Sequence, residues 1–288
     1  MTISASQVKE LRDKTGAGMM DCKKALTEAG GDFTKAIEIL RKKGAAVAAK
    51  RAERAANEGI VKTFVDENHH TGIILEVNCE TDFVAKSDDF INFSDFVMEV
   101  VKNQKPSNVD ELLEIEYNGK KVSNELTDII GKIGEKIQVT RFAVEETGSG
   151  MIVDYVHHGS KLGVLIKTEK AGDGGEELAL LLKDIAMQVA AMRPISIYRE
   201  DIPKELVEKE IEIYKELAKK EGKPENILDK IAQGRLNKYF QENCLSEQTF
   251  VKDNTKTVGD LIKEYNKLHS TETKLVLFHR FHLSDENK

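Results

Sequence analysis

"GIVKTFVDENHHTGIILEVN", residues 59–78, and "GMIVDYVHHGSKLGVLIKTE", residues 150–169, are approximate copies of one another. In each copy the first glycine, Gly59 or Gly150, precedes a second, Gly72 or Gly163, by 13 residues. Self-similarity of this kind means that one supersecondary unit is used twice. Each copy contains two β-prone runs joined by a His-containing turn, and so predicts a hairpin. A helical stripe follows each: Phe90, Phe93, Val97 and Val101 in the first half, and Leu178, Leu182, Ile185, Val189 and Met192 in the second. Apolar residues at this spacing line one face of a helix. Each half then closes on a strand, "IQVTRFAV" at 137–144 and "LVLFHRFHL" at 275–283, with Arg141-Phe142 matching Arg280-Phe281.

Working outward, the second half carries an insertion at about 202–244. Val207, Ile211, Tyr214 and Ala218 form one stripe and Leu228, Ala232, Leu236 and Phe240 another, with Gly222 and Pro224 between them. This pattern predicts an antiparallel helical hairpin. Upstream of Gly59, three short helical patterns occupy about 5–15, 19–29 and 33–43, separated by Gly16, Gly18, Gly30 and Gly31, with Gly44 expected to stop the third. "AAVAAKRAERAANE", 45–58, is Ala-rich and basic without a wide apolar face, and reads as a helical linker. The expected class is therefore α+β: a three-helix module at 1–44, a linker at 45–58, and two related sheet-and-helix subdomains at 59–149 and 150–288, the second with its helical arm.

The chain has 288 residues, is 40% apolar and has a formal net charge of -7. It is large enough for two or three cores. Residues 1–58 hold 12 Lys/Arg against 8 Asp/Glu, a net +4, whereas the remainder holds 31 against 42, a net -11. An acidic body disfavours wrapping a polyanion. Three cysteines, Cys22, Cys79 and Cys244, are odd in number, widely spaced and free of CxxC. They predict neither a disulfide framework nor a zinc knuckle, and the cytoplasm is the expected compartment. No run approaches the roughly 18 apolar residues of a membrane helix, and "MTISASQVKEL" has no signal-peptide core.

Catalytic and metal chemistry find little support. His69-His70 and His157-His158 are adjacent pairs whose side chains would diverge on a strand, so they read as turn residues rather than metal ligands. "GAGMMD" at Gly16 lacks the third glycine and the preceding strand of a dinucleotide fingerprint. "GKIGEK", 131–136, has the wrong spacing for a phosphate loop and reads as a turn into a strand. Arg41 to Arg54 could touch phosphates, but no interleaved aromatics are present to stack bases. No cofactor or metal is expected. In "NCETDFVAK", 78–86, Phe83 lies seven residues before Phe90, and pattern alone places it on the same buried stripe.

"KELRDKTGAGMMDCKKAL", 9–26, together with "NCETDFVAK" and "HHGSKLGVL", resembles the bacterial elongation factor Ts family, over residues 5 to 283. The Thr15–Leu26 and Thr81–Val84 runs are its specific signals. The resemblance implies a guanine-nucleotide exchange factor without bond chemistry of its own, which binds the GDP-bound GTPase elongation factor Tu and displaces elements that hold magnesium and phosphate. It implies a ubiquitin-associated-like N-terminal module, with Val8, Leu11, Arg12, Met19, Met20 and Lys23 as GTPase contacts. It assigns an intruding pair to Asp82 and Phe83, flanked by Thr81 and Val84, and further contacts to Ile133, Gly134 and His158, with Val251 and Lys252 after the arm. That role requires Phe83 to be exposed, against the reading from pattern alone. Longer family members have an extra C-terminal helical segment where only "SDENK" follows the last strand here. A homodimer through the arm and second subdomain is compatible with the resemblance; membrane and direct nucleic-acid partners are not expected. Two other classes remain open at this stage: an adaptor that binds protein without affecting nucleotides, and an RNA-binding accessory protein.

Overall fold

The two glycines that set the register of the repeat stand face to face with the opposite copy. A computed structural model describes residues 3–172 and 174–285. In it a Cβ on Gly72 would come within 2.4 Å of Ile152 Cγ2, and one on Gly163 within 2.6 Å of Val61 Cγ1. Each glycine is thus the place where one sheet admits the side chains of the other.

Three helices precede the sheets: α1 (Ala5–Thr15), α2 (Met19–Glu28) and α3 (Phe33–Arg51). Ser4 and Gln7 form a capping box on α1, and Asp32 caps α3, satisfying the free amides of their first turns. Val8, Leu11, Cys22, Ala25, Leu26 and Ala36 make their shared core. Gly44 does not stop α3. It lies buried inside the helix, where α3 crosses a later helix so closely that a Cβ on Gly131 would sit 2.9 Å from Gly44 Cα. The expected linker is correspondingly shorter, because residues 45–51 continue α3 and Val47 and Ala48 pack against the first subdomain core.

The first hairpin is β1 (Glu58–Val65) and β2 (Thr71–Cys79), antiparallel in register Ile60↔Val77 and Val65↔Gly72. After it come α4 (Asp82–Ala85), α5 (Asp88–Gln104) and α6 (Val109–Glu114), then a two-residue ribbon of β3 (Glu116–Tyr117) and β4 (Lys120–Lys121). The half ends with α7 (Val122–Ile133) and β5 (Ile137–Glu146). The second half repeats the plan with β6 (Ile152–Val156), β7 (Leu162–Glu169) and α8 (Gly175–Met192). Its inserted arm is α9 (Lys204–Lys220) and α10 (Leu228–Asn243). A short ribbon, β8 (Thr249–Phe250) with β9 (Asp253–Thr257), leads to α11 (Val258–His269) and β10 (Lys274–His282). Sheet orders β1-β2-β5 and β6-β7-β10 are the same topology twice.

Strand alternation sorts the side chains into layers. Ile73, Leu75 and Val77 face α5 and α7 in one core, while Val164 and Ile166 face α8 and α11 in a second. Val61, Ile74, Ile152, Leu165, Phe281 and Leu283 form a third core between the sheets. The order is helices, sheet, sheet, helices. β2 is buried on both faces, which is why "GIIL", 72–75, is an unbroken apolar run and Glu76 beyond it is buried as well.

Most of the helical stripes are buried where expected, but Met192, the last residue of α8, is 48% exposed. Helices α7 and α11, which lead into the two closing strands, have no counterpart among the expected elements. The arm packs Leu236, Phe240 and Cys244 against Ile202, with Val207, Ile211 and Tyr214 half-buried beside them. Among the described residues no helix is long and apolar enough to cross a membrane, and no group of three or more metal-ligating side chains converges.

Candidate functional site

Phe83 is 82% exposed, the most exposed of the large apolar side chains described. The seven-residue spacing to Phe90 does not place the two rings on one stripe, because they belong to different helices. α4 ends at Ala85, and Ser87 restarts the chain as the cap of α5, accepting from Phe90 N–H while its hydroxyl donates to Val84 O at 2.8 Å. Phe90 is fully buried. Val84 and Ala85 pack into the first subdomain core and turn Phe83 outward.

Thr81 anchors this turn. Its hydroxyl oxygen caps α4 by accepting from Val84 N–H. Its own N–H and hydroxyl donate to the two carboxylate oxygens of Glu135 at 3.1 and 2.8 Å. The Cys79 thiol donates to Thr81 O at 3.2 Å. Burial, with the nearby Glu135 charge adding to it, pushes that thiol up to about 12, so it remains a protonated donor. Glu135 directly follows Gly134, the left-handed cap of α7. The sequence-distant groups Thr81-Asp82-Phe83 and Ile133-Gly134 are therefore joined by one carboxylate.

A second carboxylate runs the other way. Glu80 accepts from Lys136 N–H at 2.7 Å, from Arg51 at 2.7 Å and from Arg54 at 3.1 Å. Burial alone would raise the Glu80 carboxyl, but these donors override it and hold the group down to about 2. Glu80, Glu135 and Cys79 are not among the expected site residues; the only sequence signal is that the two acids adjoin the expected residues Thr81 and Gly134.

Asp82 is half-exposed and pairs with Lys86 at 2.9 Å. The hydrogen bond from Lys86, helped by the charges of Lys86 and Lys161, holds its carboxyl below the usual aspartate value. Lys161 belongs to the turn between β6 and β7 that also carries His158, and it pairs with Glu58 at 2.6 Å. Ser160 O accepts from Val61 N–H at 2.6 Å, which docks that turn on the first sheet. His158 is exposed there. His69, in the corresponding turn of the first hairpin, is bonded through Nδ1 to Ile152 O at 2.9 Å and has a contact role between the sheets.

In the N-terminal helices, Met19 and Met20 are 48% and 64% exposed at the start of α2, and Arg12 and Lys23 are exposed with them. Val8 and Leu11 differ from the surface role expected of them: both are buried in the core of the three helices, Leu11 completely. Lys132 lies across Gly16, where a Cβ would meet its Cε at 2.7 Å, and its Nζ pairs with Asp89 at 2.7 Å. Lys132 thus ties the α1–α2 connection to the end of α7 beside Ile133. Val251 and Lys252 are held elsewhere, on α8: Val251 N–H donates to Gln188 Oε1 at 2.9 Å and Lys252 pairs with Asp184 at 2.7 Å. Val251 is 52% exposed.

The site offers an apolar ring on a hydrogen-bonded turn and two exposed methionines at the start of α2. A family model described as Elongation factor TS matches residues 80–285. Elongation factor Ts of Chlorobium phaeobacteroides (strain BS1) is 49% identical over 98% of this chain and 98% of its own. That of Chlorobaculum parvum is 48% identical over 98% of each chain, and that of Clostridium perfringens (strain 13) is 47% identical over 97% of this chain and 92% of its own.

Proposed function

The chain belongs to the elongation factor Ts family, and from that premise we propose that it is a guanine-nucleotide exchange factor for the GTPase elongation factor Tu. The observation that carries this reading is Phe83, a large ring left in solvent on a turn anchored through Thr81. A phenylalanine has only two rotatable bonds, so little freedom is lost when it is inserted into a partner. Burying it there yields about 1.5–3 kcal/mol. Magnesium requires near-ideal octahedral geometry, so a small displacement of the GTPase element that holds its ligands loosens the ion and the diphosphate it bridges. Asp82 directs the turn or repels nearby anions, and Ile133, Gly134 and His158 supply adjoining contacts. Met19, Met20, Arg12 and Lys23 form a separate hold on the same partner, with Val251 at the far side.

Exchange then needs no bond chemistry. The loss of GDP affinity on binding the factor equals the loss of factor affinity on binding GDP, with typical couplings of about 1–3 kcal/mol. Phe83→Ala is expected to leave the thermal transition in place, because the ring is exposed, and to slow release of a fluorescent GDP from the GTPase sharply. Undiminished release, or collapse of the transition, overturns the wedge role of Phe83. A chain that binds the GTPase without accelerating release at all would be an adaptor instead.

A further inference from the structure

We propose that Glu80 and Glu135 are positioning residues that form a reciprocal clamp setting the orientation of Phe83, a role that rests on the exchange reading above. The geometry is crosswise. The carboxylate of residue 80 takes the amide of residue 136, and the carboxylate of residue 135 takes the amide of residue 81. Two chain segments more than fifty residues apart are thereby locked in both directions by charge-assisted hydrogen bonds, which are stronger than neutral ones. Both acids are engaged within the chain: Glu80 by Arg51, Arg54 and the Lys136 amide, and Glu135 by Thr81.

Each acid has a distinct reach. Glu135 fixes Thr81 through both its amide and its hydroxyl, immediately before the Asp82-Phe83 pair, and so sets the direction in which α4 leaves β2. Glu80 extends the clamp to Arg51 at the end of α3 and to Arg54 beyond it. The clamp therefore connects the helix that carries the N-terminal module to the turn that carries the ring. A wedge that performs work on a partner must be braced, because freedom in its base is lost on insertion and reduces the force it transmits. Without the clamp the same ring would still be exposed and would still bind, but it would displace less.

The chain contains no tryptophan, so Phe83→Trp places a single indole at the wedge, excited to the red of the six tyrosines. In the free full-length chain, adding Glu135→Ala is expected to lower the steady-state anisotropy of that introduced indole, with Glu135→Gln, which keeps one acceptor, falling between. With Phe83 restored, Glu135→Ala is expected to reduce the saturating rate of GDP release about tenfold while the concentration giving half-maximal rate changes less. Glu135→Gln should recover part of that rate. Unchanged anisotropy, a loss in half-maximal concentration alone, or a Gln variant as damaged as the Ala variant overturns the clamp. Loss of the cooperative thermal transition in both Glu135 variants overturns it too, because the carboxylate would then be holding the fold rather than the wedge. If anisotropy falls as expected but Phe83→Ala releases GDP normally, the clamp on the ring's orientation stands and the wedge role of Phe83 falls.

Discussion

At the scale of single residues, Phe83 and Phe90 show how one spacing serves two ends. Seven residues would stack them on a continuous helix, yet Ser87 interrupts the chain and separates a ring in solvent from a ring in the core. Glu80 carries a testable pH dependence. Its folded value, about 2, lies below the ordinary 4.5. A depressed carboxyl contributes stability that is complete above its unfolded value and is lost as pH falls through the folded one. Denaturant unfolding of wild type and Glu80→Gln should thus differ by a constant amount above about pH 5, with the difference shrinking as pH falls from 4.5 towards about 2. A difference that is flat over that window removes the assignment. Glu80 lies within the quoted "NCETDFVAK" stretch and yet is illegible there as a clamp, because its partners are a main-chain amide at 136 and two arginines nearly thirty residues upstream.

At the scale of elements, glycine proved ambiguous in sequence. Gly16 does end α1 in a left-handed conformation. Gly44 has the same sequence appearance and sits inside α3, because α3 and α7 cross there at backbone distance. Gly131→Leu should force them apart, since the opposing atoms are main chain and cannot rotate away. The expected result is destabilisation of about 1–3 kcal/mol, with faster amide exchange in α3 than in wild type and unchanged exchange in β2 and β7. Equal protection of α3 in both proteins would show that the crossing tolerates bulk. The hairpins and the arm were legible because their periods are local. α7 was not, because its apolar residues Val122, Ile129 and Ile130 adjoin a charged, glycine-containing stretch.

At the scale of the whole molecule, two copies of one unit are pressed sheet to sheet and cross-linked by charge. Arg141 on β5 reaches Glu76 on β2 at 2.7 Å and Asp285 beyond β10 at 2.8 Å, and its guanidinium lies 4.1 Å from the centre of the Phe281 ring. Arg141→Ala removes charge-assisted hydrogen bonds to the buried Glu76 and to Asp285 and is expected to cost about 1.5–3 kcal/mol, read as a lower urea midpoint; a shift under about 0.5 kcal/mol would place the bond between the halves in the apolar layer alone. The Arg-Phe pairs 141–142 and 280–281 were visible as a repeat, but not that Arg141 of one copy stacks on Phe281 of the other. The sequence by itself determined the repeat, its hairpins and stripes, the helical arm and the family, since all of these rest on periodicity and on motifs carried by consecutive residues. Only the tertiary structure decided that Gly72 and Gly163 face the opposite sheet, that Gly44 is a crossing point, that Leu11 is buried, and that the carboxylates of Glu80 and Glu135 take the amides of Lys136 and Thr81 crosswise. Each depends on atoms brought together from distant parts of the chain, and no local pattern encodes which distant backbone will arrive.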